Sequence, residues 1–138
     1  MKKSILAITI AFSALAAHAE NTNVSIIVNS ESTMTQGMAM VLANKMIEQG
    51  DNVSILLCDK AGDLALKSNT GPALKPANLT PGQLMDGAIK KGAKVSVCAL
   101  YLPNSGNKPD QLKDGVNAAK PDVVAKQLTE SNRKVMSF

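Results

Sequence analysis

Histidine is nearly absent from this chain: the single residue, His18, lies close to the N-terminus. If that segment is a removable leader, the working protein has no imidazole. Ser-His-Asp triads, histidine general bases and histidine-based zinc sites are then excluded together. Aromatics are almost as scarce, with no Trp, one Tyr and two Phe. The core must be built from Val, Ile, Leu, Ala and Met, and no stacking platform for bases exists. The formal charge is only +4, and Lys2 and Lys3 supply two of those charges. No basic stripe interleaved with aromatics is present, so no nucleic acid partner is expected. Glycine-rich phosphate loops are missing too. Asn29-Ser30-Glu31-Ser32-Thr33 lies between a strand pattern and a helix pattern but lacks the glycines of a P-loop or dinucleotide fingerprint, and it reads as ordinary capping. Asp59, Asp63, Asp86 and Asp110 show no paired spacing for acid–base work. No cofactor is expected.

What is present begins with a leader. Lys2 and Lys3 precede an apolar run from Ile5 to Ala17, and Ala17-His18-Ala19 supplies a small-x-small cleavage site. The run is shorter than the ~20 residues a spanning helix needs. Residues 1–19 are therefore expected to be a signal peptide cleaved after Ala19, and residues 20–138 a single domain. No second long apolar segment follows, so no membrane partner is expected after cleavage.

Three strand-like runs recur, at 24–28, 53–57 and 95–100, each nearly unbroken in apolar character. Such runs suit strands buried on both faces of a parallel sheet. Shorter runs at 116–119 and 134–138 complete five. Between them lie helix signals. Thr33-x-x-Gln36 has capping-box spacing and opens a helix with Met34, Met38, Val41, Leu42 and Met46 on its expected core face, leaving Met40 and Ile47 outside it. Gly50 is placed to end that helix. Thr80-Pro81-Gly82-Gln83 combines an N-cap, Pro at N1 and Gln at N3, and Gly92 closes the helix it opens. Pro121 begins another, with Val123, Val124, Ala125 and Leu128 apolar. Alternating strands and helices predict an α/β sandwich with a mainly parallel sheet. Two long connections, roughly 59–79 and 101–114, follow strand C-termini, where clefts form in open α/β sheets.

Each of the two cysteines closes a strand: Cys58 after Leu56-Leu57, Cys98 after Val95-Ser96-Val97. Adjacent parallel strands, ~4.8 Å apart, would let the thiols meet; a strand between them would not. The order of strands is not legible here. Lys60, Lys94 and Lys108 are candidate cations to favour a thiolate, Lys94 being the least suited because it begins its strand. Asp59 directly follows Cys58 and opposes a thiolate there, so Cys98 is the expected reactive thiol. The mature chain is also rich in methionine, and thioethers with thiolates suit Cu(I). A methionine stripe at helical spacing is more often core.

Three segments together resemble the DsrE/DsrF-like family, small α/β proteins that include sulfur-relay subunits. They are Gly50-Asp51-Asn52-Val53-Ser54-Ile55-Leu56-Leu57, then Lys91-Gly92-Ala93-Lys94-Val95-Ser96-Val97-Cys98, and the tail from Gly115-Val116 through Pro121 and Leu128 to Phe138. The resemblance covers essentially all of residues 20–138. It implies a five-stranded, three-layer α/β/α sandwich, assembly into trimers or hexamers, and a persulfide held on Cys98. The expectation is thus a periplasmic thiol protein carrying or transferring sulfane sulfur through Cys98, with a sulfur donor or acceptor protein as partner. Two alternatives stay open: a non-catalytic binding module for Cu(I) or a small ligand, and a structural oligomer with inert cysteines.

Overall fold

The computed structural model describes residues 21–69 and 71–138; the expected leader lies outside the described residues. Five strands form one parallel sheet: β1 (Asn23–Val28), β2 (Asn52–Leu57), β3 (Lys94–Val97), β4 (Val116–Ala118) and β5 (Arg133–Ser137). Their order across the sheet is β4-β3-β2-β1-β5. The first four step steadily in one direction, and the last connection returns across the sheet to the far side of β1. Right-handed crossovers put connections that run in opposite directions on opposite faces. The architecture is the predicted three-layer α/β/α sandwich, with every strand pair parallel.

One face carries the core. Val24, Ile26 and Val28 of β1, Val53, Ile55 and Leu57 of β2, and Val95 and Val97 of β3 all point into it and are buried. Helices α1 (Thr33–Glu48) and α2 (Pro81–Lys90) cover them, bringing Met40, Ala39, Ala43, Met85 and Ala88 to the interior. The Asn44 amide ties these helices together by donating to the carbonyls of Met40 and Leu84, both at 2.9 Å.

The buried side of α1 is only in part the expected one: Met46 packs against the core, but Met34, Met38 and Val41 turn away. Met34 is 76% exposed, Met38 55% and Val41 42%, whereas Met40 is fully buried. The helix is apolar on both sides, so apolar spacing alone does not choose a face. Residue size does: Gly37, Ala39 and Ala43 allow close approach, and a Cβ at Gly37 would meet the Leu74 side chain. The expected Thr33–Gln36 capping box is also absent. Ser32 is the N-cap and accepts from the Thr35 amide, while the Gln36 side chain donates to the Ser30 carbonyl at 2.8 Å. The capping box of α2 forms as predicted, with Thr80 and Gln83 bonded reciprocally at 3.1 and 2.9 Å. Gly50 and Gly92 end their helices at φ +97° and +103°.

The two long connections are more ordered than their composition suggests. The first opens with a 3-10 helix, Asp59–Ala65, and the second with a short helix, α3 (Tyr101–Ser105), ended by Gly106 at φ +74°. The third apolar run stops as a strand at Val97, so Cys98 lies just past the end of β3. Helix α4 (Pro121–Leu128) lies on the second face, where the Gln127 amide donates to Ser54 Oγ at 2.8 Å. None of its residues is fully buried.

Candidate functional site

The strand order decides whether the two cysteines meet. β2 and β3 are neighbours, with Leu57 paired to Val97. Cys58 and Cys98 each come one residue later, at the C-terminal edge of the sheet. Their backbones are tied in sequence across that edge: Cys58 N–H donates to the Val28 carbonyl and Cys98 N–H to the Leu57 carbonyl, both at 2.8 Å. Both are half-buried free thiols.

Immediately after Cys58 the chain turns through Asp59, a non-glycine residue at φ +47°. Asp tolerates this left-handed conformation better than most residues do. The turn sends the 3-10 helix away from the strand end and opens a cleft. After Cys98 the chain turns instead into α3, with the Tyr101 N–H donating to the Cys98 carbonyl at 3.0 Å. The two departures leave an open cleft of about 620 Å³, lined by both cysteines, Asp59, Lys60, Asp63, Leu100 and Tyr101.

Tyr101 forms one wall. Its ring lies against Gly62 so closely that a Cβ there would sit 2.3 Å from the ring. Its hydroxyl donates to Asp63 Oδ1 at 2.6 Å. Burial, and next that bond to a carboxylate, push the phenol above its usual range, so it stays protonated as a donor. Tyr101 therefore pins α3 to the 3-10 helix across the cleft floor. Sequence reasoning gave no role to Gly62, Asp63 or Tyr101. The pair forms only when two segments 38 residues apart fold over adjacent strand ends.

The electrostatics separate the two thiols. Cys58 is pushed up to about 12, first by burial, then by the adjoining Cys98 thiol and last by the negative charge of Asp59. Near neutral pH it stays protonated. Of the candidate cations, Lys60 lines the cleft. Lys94 begins β3 at the opposite edge of the sheet. Lys108 opens the 3-10 turn at Pro109–Gln111 and does not line the cleft. No methionine lines it among the described residues, which leaves the two thiols without thioether neighbours there. The described residues also hold no cluster of three or more His, Cys, Asp or Glu arranged for a metal ion. No described helix is long and apolar enough to cross a membrane.

No family model matches the chain, and no curated protein matches it. Solved structures do match. The ychN protein from E. coli aligns over 86% of this chain and 100% of its own, at TM-score 0.70 and 16% identity. MTH1491, a protein of unknown function from Methanobacterium thermoautotrophicum, aligns over the same shares at TM-score 0.70 and 10% identity. BT1422, a conserved protein of unknown function from Bacteroides thetaiotaomicron, covers 85% of this chain and 95% of its own, at TM-score 0.61 and 13% identity. At such identities the likeness is one of fold: ychN and MTH1491 have the DsrE/DsrF-like fold, and this chain shares it.

Proposed function

We propose that this chain is an exported member of the DsrE/DsrF-like family that carries sulfane sulfur as a persulfide on Cys98. The observation that carries the reading is the asymmetry of the thiol pair. Both cysteines face one open cleft, yet Cys58 is held protonated by burial and by Cys98 and Asp59. Cys98 is then the thiol left to act as nucleophile, and Lys60 lends a cation to the same cleft. In the loading step, the Cys98 thiolate attacks the outer sulfur of a donor persulfide. A Cys98–sulfur bond forms, the donor's sulfur–sulfur bond breaks, and the donor leaves as a thiolate. The shared fold and the three family-like segments support the same reading. The Lys2–Lys3 run and Ala17-His18-Ala19 support a working place outside the cytoplasm. Partners in this reading are a sulfur donor, an acceptor and further copies of the chain.

The test is alkylation of the reduced, folded protein with limiting iodoacetamide at about pH 6.5, where thiolate fraction sets the rate. Peptide mass should find Cys98 labelled first. Preferential labelling of Cys58, or a Cys98 inert until unfolding, would overturn the assignment.

A further inference from the structure

Two thiols on adjacent strand ends are more than a carrier needs. One cysteine can accept and pass on a sulfur atom; the second has no part in that exchange. Its place in the fold is nonetheless specific. Leu57 pairs with Val97, so the next residue on each strand lies one strand spacing from its counterpart, ~4.8 Å, within the range that a disulfide spans. Both thiols line the cleft, and neither is locked in the core.

We propose that Cys58 is the resolving thiol of a Cys98 persulfide, discharging its sulfur as hydrosulfide and leaving a Cys58–Cys98 disulfide. The inference rests on the carrier reading and extends it. In the step, Cys58 Sγ attacks Cys98 Sγ, the inner sulfur of the ionised persulfide. The Cys58–Cys98 bond forms, and the bond from Cys98 Sγ to the outer sulfur breaks. Cys58 gives its proton to solvent before the attack, and the outer sulfur leaves as sulfide that takes a proton from solvent to become hydrosulfide, so atoms and charge balance. Two electrons pass from the cysteine sulfurs to the sulfane sulfur. Restoring the dithiol takes two electrons and two protons from an external dithiol reductant.

The state of Cys58 gives this step a time base. Attack requires the thiolate, and burial with the charges of Cys98 and Asp59 disfavours it near neutral pH. The persulfide is therefore held there rather than discharged at once. Release should accelerate about tenfold per pH unit over the mildly alkaline range, following the Cys58 thiolate fraction.

The experiment loads the reduced full chain with inorganic polysulfide, desalts it, and follows intact mass and free sulfide with time at several pH values. The wild type should gain one sulfur atom. It should then convert to a species two hydrogens lighter than the reduced protein, with one equivalent of sulfide released and Cys58 linked to Cys98 in the peptide map. Cys58→Ser should keep its added sulfur at least about tenfold longer, since no neighbouring thiolate remains to displace it. Cys58→Ala, with far-UV circular dichroism on both variants, guards against a folding defect. Equal decay in wild type and both variants would overturn the resolving role while leaving the carrier reading intact. Failure of Cys98 to take up sulfur in any of the three proteins would overturn the carrier reading, and the resolving role with it.

Discussion

The two faces of the sheet are built to different standards. On the first, eight inward side chains of β1, β2 and β3 are aliphatic and buried beneath two helices. On the second, Ser25, Ile27, Ser54, Leu56 and Ser96 alternate with them along the same strands, and α4 alone lies over that surface. One helix with its side chains is ~10 Å wide, against a sheet of five strands, ~19 Å across. It cannot cover the whole face: Ile27, Ser54, Leu56 and Ser96 stay half-buried, while Ser25 is buried and accepts from Arg133 Nη1 at 3.2 Å. The lesson is that a doubly covered sheet in topology need not be doubly buried in energy. Stability resides on the α1/α2 side, and the edge where β2 and β3 end is left open for chemistry.

The sharpest way to break that comparison is a pair of neighbours on one strand. Ile26 is fully buried and points to the first face; Ile27 is half-buried and points to the second. Ile26→Ala should cost about 2–5 kcal/mol, combining lost transfer energy with the cavity left behind. Ile27→Ala should cost about 1–2 kcal/mol, since fewer of its methylenes leave water. Urea midpoints of both variants measure the difference. Equal losses would mean that the second face is covered in solution by more than α4, as assembly with further copies would do.

Legibility in the sequence follows the same divide. Nearly unbroken apolar runs announced the parallel sheet, because each of the three carries a single serine, Ser25, Ser54 or Ser96, among its apolar residues. Thr80-Pro81-Gly82-Gln83 announced α2, because a capping box is a local device that needs no tertiary partner. What failed was whatever depends on size or on distant segments. Methionine spacing was right for Met46 but not for Met34 and Met38, since the small residues Gly37, Ala39 and Ala43 decide how near the helix lies to its neighbours. Both cysteines could be placed at strand ends. Their contact could not be read, because that depends on strand order. Nor could the Tyr101–Asp63 wall, which joins two connections that composition alone presents as loops.

A smaller effect is expected where the stable face meets the cleft. Gly62 and Tyr101 are both buried, and any side chain at 62 collides with the ring. Gly62→Ala should cost about 1–3 kcal/mol, the usual penalty for overpacking. Because Tyr101 anchors α3 through Asp63, the same substitution should free that wall and raise the rate at which Cys98 is alkylated. The readouts are thermal stability and labelling kinetics on one preparation. Stability lost with no change in labelling would show that the wall does not govern access to the thiols.

The smallest effect lies at the far end of the helices that cover the stable face. Glu48, on the last turn of α1, bonds Lys45 at 2.8 Å on its own helix and Lys91 at 2.7 Å beyond the end of α2. Lys45 first and Lys91 next, through hydrogen bonds and then through charge, hold the carboxyl down at about 2 from 4.5. A carboxylate whose value is lower in the folded state stabilises above its unfolded value. That contribution is whole above about pH 4.5 and is lost as pH falls toward 2. The three side chains are largely solvated, so screening and side-chain entropy keep the gain small. The urea midpoint of Glu48→Gln should lie slightly below that of the wild type at about pH 6, and the two should converge as pH approaches 2. High salt should narrow the difference at pH 6 as well. A gap that persists in acid and in salt would mean that Glu48 contributes by packing rather than by charge. The α1–α2 cover would then owe its fixity at that end to contacts other than this ion pair.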